Sequence, residues 1–393
     1  MPHKILIVDD EPDLQDLIRQ KFRKKIRANE LEFVGALNGV EALQLLTNNN
    51  GIDLILTDIN MPHMDGLTLL GKIRELNNPL LKTVIVSAYG DMENIRTAMN
   101  RGAFDFVTKP INFVDLEITI EKTLQELSTL KSALETRTKL LAIQQELEIA
   151  RSIQLSILPN NSALFSNQKE FEINASMETA REVGGDLYDF FMIDENRLGF
   201  FIGDVSGKGI PAAIFMAVSK TCIRSTALRG LPVNECLQAV NSTLVRESVS
   251  NVYVTAVYGI LNIRTGELDL CNAGHNPPYL IKKNGDIEQL KTVDGIPLGF
   301  VDHYAYGEQH VLLQPGETIF LYTDGVIEAM DQFENDFSEA RMEQVLRQVG
   351  ASSLPALNQG VLDEVRRFTG GVPQSDDVTV FSLKYLCHQG WVV

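Results

Sequence analysis

The stretch DLILTDINMPHMDG, residues 53–66, opens on a short apolar run, Leu54-Ile55-Leu56, that ends at Thr57 and Asp58. An apolar run without polar alternation is what a strand buried on both faces of a parallel sheet looks like. Working outward, similar runs stand at 4–8, 33–37, 83–86 and 104–108. Helical spacing fills the gaps, as in Leu14-Leu17-Ile18 and Ala42-Leu43-Leu45-Leu46. Strands alternating with helices predict a doubly wound α/β domain on a parallel sheet.

Such sheets bind ligands at the carboxyl ends of their strands. Asp9 and Asp10 end the first run, Asp58 the third, Ser87 the fourth, and Lys109, followed by Pro110, the fifth. Three acids, a hydroxyl and an ammonium should therefore meet. Such a site can bind Mg²⁺, which takes carboxylate and carbonyl oxygens plus water. The metal and Lys109 would neutralise an incoming phosphoryl group while an Asp58 oxygen attacks in line. A single Asp at a strand end is ordinarily a cap or turn residue; five positions matched at five expected places are not explained that way.

The stretches Val8-Asp9-Asp10-Glu11, 57–66 and Thr108-Lys109-Pro110 resemble the response-regulator receiver family. The resemblance implies that Asp58 is the phosphoacceptor. It implies that Asp10 and Asp58 hold Mg²⁺ with the Asn60 carbonyl, and that Asp9 orients a metal water. Ser87 would be the switch hydroxyl, Phe106 the switch aromatic and Lys109 the phosphoryl contact, with a cis peptide before Pro110. A sensor histidine kinase is the implied phosphodonor.

Residues 112–158 contain no Gly and no Pro. Apolar residues recur at helical spacing as Ile120, Leu124, Leu127 and Leu134, then as Leu140, Ile143, Leu147, Ala150, Ile153 and Ile157, with Arg137 and Thr138 interrupting the register. This predicts the last helix of the first domain running on into a helical connector. Its stripe needs a partner. One solution is a short parallel coiled coil in a homodimer; docking on the next domain is the other. Pro159, Asn160 and Asn161 break the helix.

Beyond it, strand-like segments at 171–177, 188–193, 197–204, 252–263, 267–272, 277–282 and 378–383 are interrupted by helical pairs at 212–228 with 235–245 and 340–349 with 354–368. Asn284-Gly285 reads as a hairpin turn. The order suggests an α+β domain with antiparallel sheets. The expected architecture is multidomain: a receiver at 1–122, a helical connector at 123–160, the α+β domain at 161–386 and a tail at 387–393.

Four acids in that last domain each sit beside glycine or another acid. They are Asp186 in Val183-Gly184-Gly185-Asp186, Asp204 in Gly203-Asp204-Val205-Ser206-Gly207-Lys208-Gly209, Asp324 in Thr323-Asp324-Gly325, and Asp376 in Asp376-Asp377. If strands bring them together, protons or cations must compensate them. Two Mg²⁺ or Mn²⁺ ions would do so and would activate a water for direct attack on phosphorus.

These motifs resemble the PPM family of metal-dependent Ser/Thr phosphatases, in its bacterial sporulation-phosphatase and RsbU-like branch. The similarity covers about residues 146–386, including a lead-in through Ala150, Ile153-Gln154 and Leu158-Pro159, and segments at 272–278 and 297–299. It implies two antiparallel sheets packed as a sandwich flanked by helices, and Asp186, Asp204, Asp324 and Asp376 as metal ligands with the Val205 carbonyl. Ser206 stands where the best-known members carry a histidine, so the general acid is open between Lys208 and His275, the latter also readable as a structural hydrogen-bonder. Arg181 is a candidate grip on substrate phosphate or a surface ion pair. Glu328 falls in an outer shell, and Asp189 and Asp377 serve a weaker third metal or local hydrogen bonds. The implied substrate is a phosphorylated anti-sigma-factor antagonist.

Composition bounds these readings. The chain has 393 residues, room for two to four domains. It is 44% hydrophobic and 22% charged, ordinary for folded protein. A net charge of −17 argues against a nucleic-acid grip and suits carboxylate cation sites, although acidity also serves solubility alone. Cys222, Cys236, Cys271 and Cys387 show no metal-binding spacing, consistent with reduced thiols in a cytoplasmic protein. Neither a signal peptide nor an apolar run of the roughly 18 residues needed for a membrane span is expected. A catalytically silent adaptor of the same fold is the alternative to an enzyme, but it should have lost metal ligands, and all four Asp are present. A DNA-binding regulator would need a basic recognition helix that is not seen.

Overall fold

The computed structural model describes residues 2–48, 51–88, 91–159, 168–247, 252–291, 293 and 295–386. Asn160, Asn161, Cys387 and the tail lie outside that set. The chain forms two compact units, Met1–Ile143 and Gln144–Val393.

The first unit runs β1 (His3–Val8), α1 (Pro12–Lys21), α2 (Arg23–Arg27), β2 (Leu31–Ala36), α3 (Gly39–Thr47), β3 (Leu54–Asp58), α4 (Gly66–Glu75), β4 (Lys82–Ala88), α5 (Met92–Asn100) and β5 (Asp105–Lys109). The sheet order is β2-β1-β3-β4-β5 with parallel pairing throughout. Because successive side chains point to opposite faces, the same strands build two cores. Ile5, Ile7, Leu54 and Leu56 pack with Ile18 and Phe22 on one side, and Leu6, Val8 and Ile55 pack with Ala42, Leu69 and Ile73 on the other. The strand order reverses between β1 and β3, which opens a crevice at the ends carrying Asp9 and Asp58.

One helix, α6 (Phe113–Ile157), follows. Its first half buries Leu116, Ile120, Leu124 and Leu127, at the spacing that keeps one helical face on the core of the first unit. Lys131 then donates to Asp53 Oδ1 at 2.6 Å. Residues 132–146 are exposed on every face. The apolar stripe pauses at Arg137 and Thr138, but the helix does not. Gln154 and Leu158 are buried again, within the second unit.

The second unit contains β6 (Phe171–Glu178), β7 (Leu187–Met192), β8 (Arg197–Val205), α7 (Ile210–Ala227), α8 (Val233–Glu247), β9 (Val254–Asn262), β10 (Glu267–Ala273), β11 (Tyr279–Ile281), β12 (Ile287–Gln289), β13 (Gln309–Leu312), β14 (Thr318–Tyr322), α9 (Glu339–Val349), α10 (Leu354–Thr369) and β15 (Val378–Tyr385). Two antiparallel sheets result, β13-β10-β9-β8-β7 and β12-β11-β14-β15-β6. Phe200 of one stacks on Phe381 of the other, with ring centroids 5.7 Å apart. The helices α7 and α8 join the core that includes the first sheet, and α9 and α10 pack on the outer face of the second. Asn284 and Gly285 turn β11 into β12, with Gly285 at φ +89°. The strands β12, β13 and β14 are additions to the expected set. Among the described residues no helix is long and apolar enough to cross a membrane.

Candidate active sites

In the first unit, carboxylate oxygens of Asp9, Asp10 and Asp58 all lie within 4.8 Å of one another. Lys109 reaches in from the end of β5, donating to Asp9 Oδ2 at 3.0 Å and Asp58 Oδ2 at 2.7 Å. Burial alone would lower the Lys109 pKa, but its bonds to Asp58 and Asp9 outweigh that and hold it above the ordinary value. The other Asp58 oxygen accepts from Ile59 N at 2.6 Å and more weakly from Asn60 N at 3.4 Å. Ser87 is buried, and its hydroxyl has no partner among the described residues, so it is available to an added oxygen. Phe106 is 38% exposed. The Lys109–Pro110 peptide is cis. Gly66 belongs to the site as well: a Cβ there would lie 2.1 Å from the Asp58 carbonyl oxygen, so a side chain would push α4 off the Asp58 turn. Three acids against one ammonium leave net negative charge, and an all-oxygen donor set fits a hard divalent cation.

In the second unit each sheet supplies two of the four acids. Asp186 enters β7 and Asp204 lies near the end of β8; these strands pair, with Leu187 opposite Gly203. Asp324 follows β14 and Asp376 precedes β15; these also pair, with Tyr322 opposite Val380. Hydroxyls stitch the two sheet ends together. Thr323 donates to Asp186 Oδ2 at 2.8 Å, Thr379 donates to the same oxygen, and the Thr323 hydroxyl accepts from Thr379 N at 2.9 Å.

Charge is crowded here. Burial, then the neighbouring Asp204 and Asp377, push Asp186 well above the carboxylate range. Burial, Asp324 and Asp376 push Asp204 up to about 8. Burial and Asp376 raise Asp324, and burial followed by Asp324 raises Glu328. Among the described residues the one cation ion-paired to any of the four is Lys208, 2.8 Å from Asp376 Oδ2; it also donates to the Ser375 carbonyl at 2.6 Å. Asp204 feels the charge of both Asp324 and Asp376, and those two feel each other, while Asp186 feels Asp204 and Asp377. Oxygen donors short of positive charge fit divalent cations. Gly185 permits the close approach of the ligand loops: a Cβ there would lie 2.9 Å from the Val205 carbonyl oxygen and 3.2 Å from Asp204 Oδ1.

The remaining candidates divide. Arg181 is exposed, makes no ion pair among the described residues, and its Nη1 would lie 3.9 Å from a Cβ at Gly209. It is thus free to meet an anion. His275 is buried, and burial lowers its pKa to about 4. Its ring meets Thr255 Oγ1 at 2.9 Å and its amide donates to Asn272 Oδ1 at 2.8 Å, the structural alternative. Ser206 pairs with Tyr253 through its amide at 2.9 Å and its hydroxyl at 3.0 Å. Asp189 is held by Lys220 at 2.6 Å and Arg224 at 2.9 Å, the local alternative to a third metal. Asp377 accepts from Ala180 N at 2.8 Å and Gly185 N at 2.6 Å, holding the Asp186 loop. The sequence assigns no role to Thr323 or Thr379, and Gln154 enters only as part of the family-like lead-in at Ile153-Gln154. The two threonines adjoin acid-bearing turns, a usable signal, whereas nothing in periodicity marks Gln154.

Comparison with known proteins fits this geometry. Residues 5–121 match the response regulator receiver domain, and residues 194–386 match the stage II sporulation protein E family. Protein IcfG of Synechocystis is 28% identical over 61% of this chain and 41% of its own length. The phosphoserine phosphatase RsbU of Bacillus subtilis is 26% identical over 62% of this chain and 70% of its own. The chain thus spans less than half of the first of these relatives. The solved SiaA-PP2C domain of Pseudomonas aeruginosa superposes with a TM-score of 0.56 at 22% identity, covering 63% of this chain and 98% of that domain, a likeness of fold. The chain therefore belongs to the response regulators, carrying its receiver ahead of a region that matches the stage II sporulation protein E family and is similar to the phosphatase RsbU.

Proposed function

We propose that phosphorylation of Asp58 controls hydrolysis of a phosphoserine or phosphothreonine protein at Asp186, Asp204, Asp324 and Asp376. The observation that carries this reading is the delivery of four carboxylates, two from each sheet, to one end of the sandwich with, among the described residues, a single lysine to balance them. Asp186, Asp204, Asp324 and Asp376, with the Val205 carbonyl, would hold two Mn²⁺ or Mg²⁺ ions. Bound divalent cations supply Lewis acidity toward water and the phosphate ester. Thr323 and Thr379 hold the Asp186 carboxylate in place, and Arg181 grips the substrate phosphate. Lys208 releases Asp376 and protonates the leaving seryl oxygen.

In the receiver, Asp9, Asp10 and Asp58 with the Asn60 carbonyl would hold Mg²⁺. An Asp58 oxygen attacks phosphorus, the bond to the donor imidazole of a sensor histidine kinase breaks, and Lys109 and Ser87 bind phosphoryl oxygens. The substrate is a cytoplasmic phosphoprotein, an anti-sigma-factor antagonist; the phosphoserine phosphatases among the relatives support the phosphoserine part of this reading. The exposed apolar residues of α6, among them Leu140, Ile143 and Ile153, pair two copies as a coiled coil. On this reading the receiver takes 1–122, the helical connector 123–160, the phosphatase 161–386 and the tail 387–393.

The test is phosphate release from a phosphoserine protein with Mn²⁺, before and after acetyl-phosphate treatment of wild type and Asp58→Ala. Mn²⁺-dependent release that changes on treatment of wild type alone is expected. Binding of the phosphoprotein without release under any metal condition would identify an adaptor instead.

A further inference from the structure

We infer that Gln154 is a positioning residue for the Asp186 loop, so that the metal-ligand geometry depends on the end of α6 being helical and docked. The inference rests on the metal-site reading above. Gln154 is 5% exposed, while its neighbours Ile153 and Leu155 are 56% and 45% exposed. Among the described residues its amide bonds to one residue, Gly184. Nε2 donates to the Gly184 carbonyl at 2.7 Å, and Oε1 accepts from the Gly184 amide at 3.0 Å. Two bonds to one residue fix both where that segment sits and how it is rotated.

Gly184 stands two residues before Asp186. Asp377 holds the intervening Gly185 amide at 2.6 Å from the opposite sheet. A Cβ at 184 would lie 2.2 Å from Asp377 Oδ2, so the loop is pressed between the two clamps. These backbone groups are buried and must be paired. If the last turns of α6 unwind, Gly184 loses both partners and the Asp186 loop is held from one side. The helix that supplies the clamp also carries Leu116, Ile120 and Leu124 of the receiver core. A mere core hydrogen bond would contribute to stability and leave metal affinity alone; a positioning bond changes metal affinity.

The test uses the full chain with Asp58→Asn, which removes a receiver cation ligand, and compares Gln154→Met with Gln154 intact. Methionine keeps the length and apolar stem and makes neither bond. Mn²⁺ binding by calorimetry should weaken on the order of 10–100-fold, the usual effect of losing a partner that orients a metal ligand, with a melt showing the chain folded. Binding within twofold of the parent overturns the inference. If Gln154→Met does not fold, hydrogen exchange in the otherwise unaltered chain decides: the peptide over 182–187 should exchange together with that over 151–157. Exchange of 182–187 while 151–157 stays protected overturns it. A parent chain that binds no Mn²⁺ would instead remove the metal-site reading, and the exchange comparison still judges the clamp.

Discussion

Asp204 shows how a side chain can be costly to the fold and necessary to the site. Its carboxyl moves from an ordinary 3.8 up to about 8 in the metal-free protein, through burial, Asp324 and Asp376. Below about pH 4 it is protonated folded or unfolded. As pH rises toward 8 the unfolded chain releases this proton and the folded chain keeps it, so stability falls across that window and levels off above it. A divalent cation displaces the proton, so metal binding tightens over the same range. In chelator, melting temperature should therefore decline from pH 5 to 8, and the shift produced by Mn²⁺ should grow. In a chain carrying Asp58→Asn, which weakens the receiver cation site, adding Asp204→Asn should raise the melting point in chelator at pH 8 and shrink the Mn²⁺ shift; a lower melting point would contradict the crowding of charge. Asp189 behaves oppositely. Its ion pairs with buried Lys220 and with Arg224 make Asp189→Ala cost about 3–5 kcal/mol, because an uncompensated ammonium stays inside. Denaturant melts should show that loss, with Mn²⁺ affinity preserved in the folded fraction. Asp186, Asp204, Asp324 and Asp376 were legible in sequence because glycine or a second acid flanks each. Asp189 was not separable from them there, since its cations lie 31 and 35 residues away.

Elements were legible in proportion to how much their sequence repeats a pattern. The inner receiver strands β1, β3 and β4 are buried along most of their length and the long strands β8 and β9 are apolar over many residues, so each stands out. The strands β12 and β13 have three and four residues with largely solvent-facing side chains, too short for a period of two to show. Buried throughout, β14 is a five-residue run that periodicity cannot tell from a helix segment. The opposite case is α6: its 45 residues were expected as helix from the lack of Gly and Pro, but which partner its stripe takes is a question of tertiary contact. Leu140 and Ile143 are 57% and 55% exposed. If they form the seam between two copies, returning each to water costs about 1.5–3 kcal/mol per protomer. Leu140→Asp with Ile143→Asp should then raise the dimer dissociation constant at least about a hundredfold in sedimentation equilibrium, with Asp58 labelling retained. An unchanged association state would move the seam elsewhere.

At the scale of the whole molecule, two sites must communicate through something with two states. The continuous element common to both units is α6, which packs Leu116, Ile120, Leu124 and Leu127 in the receiver and presents Gln154 to Gly184 in the phosphatase. A receiver that only shielded the phosphatase would need no such element, and removing it would leave a fully active enzyme. A helix that must be set in place for the Asp186 loop to hold predicts the reverse. Two truncated chains separate these accounts, residues 144–393, which keep Gln154, and residues 160–393, which lack it. Shielding predicts that both are equally and constitutively active. Helical control predicts that 144–393 binds Mn²⁺ more tightly than 160–393, and that neither reaches the activity of the phosphorylated full chain. A coupling of about 1–3 kcal/mol would change activity roughly 5–150-fold between receiver states. In the full chain, Leu147→Asp with Ile153→Asp should remove that change while Asp58 still takes phosphate from acetyl phosphate. Activation that survives those substitutions, together with equal Mn²⁺ affinity in the two truncated chains, would leave α6 a tether and return control to the receiver surface.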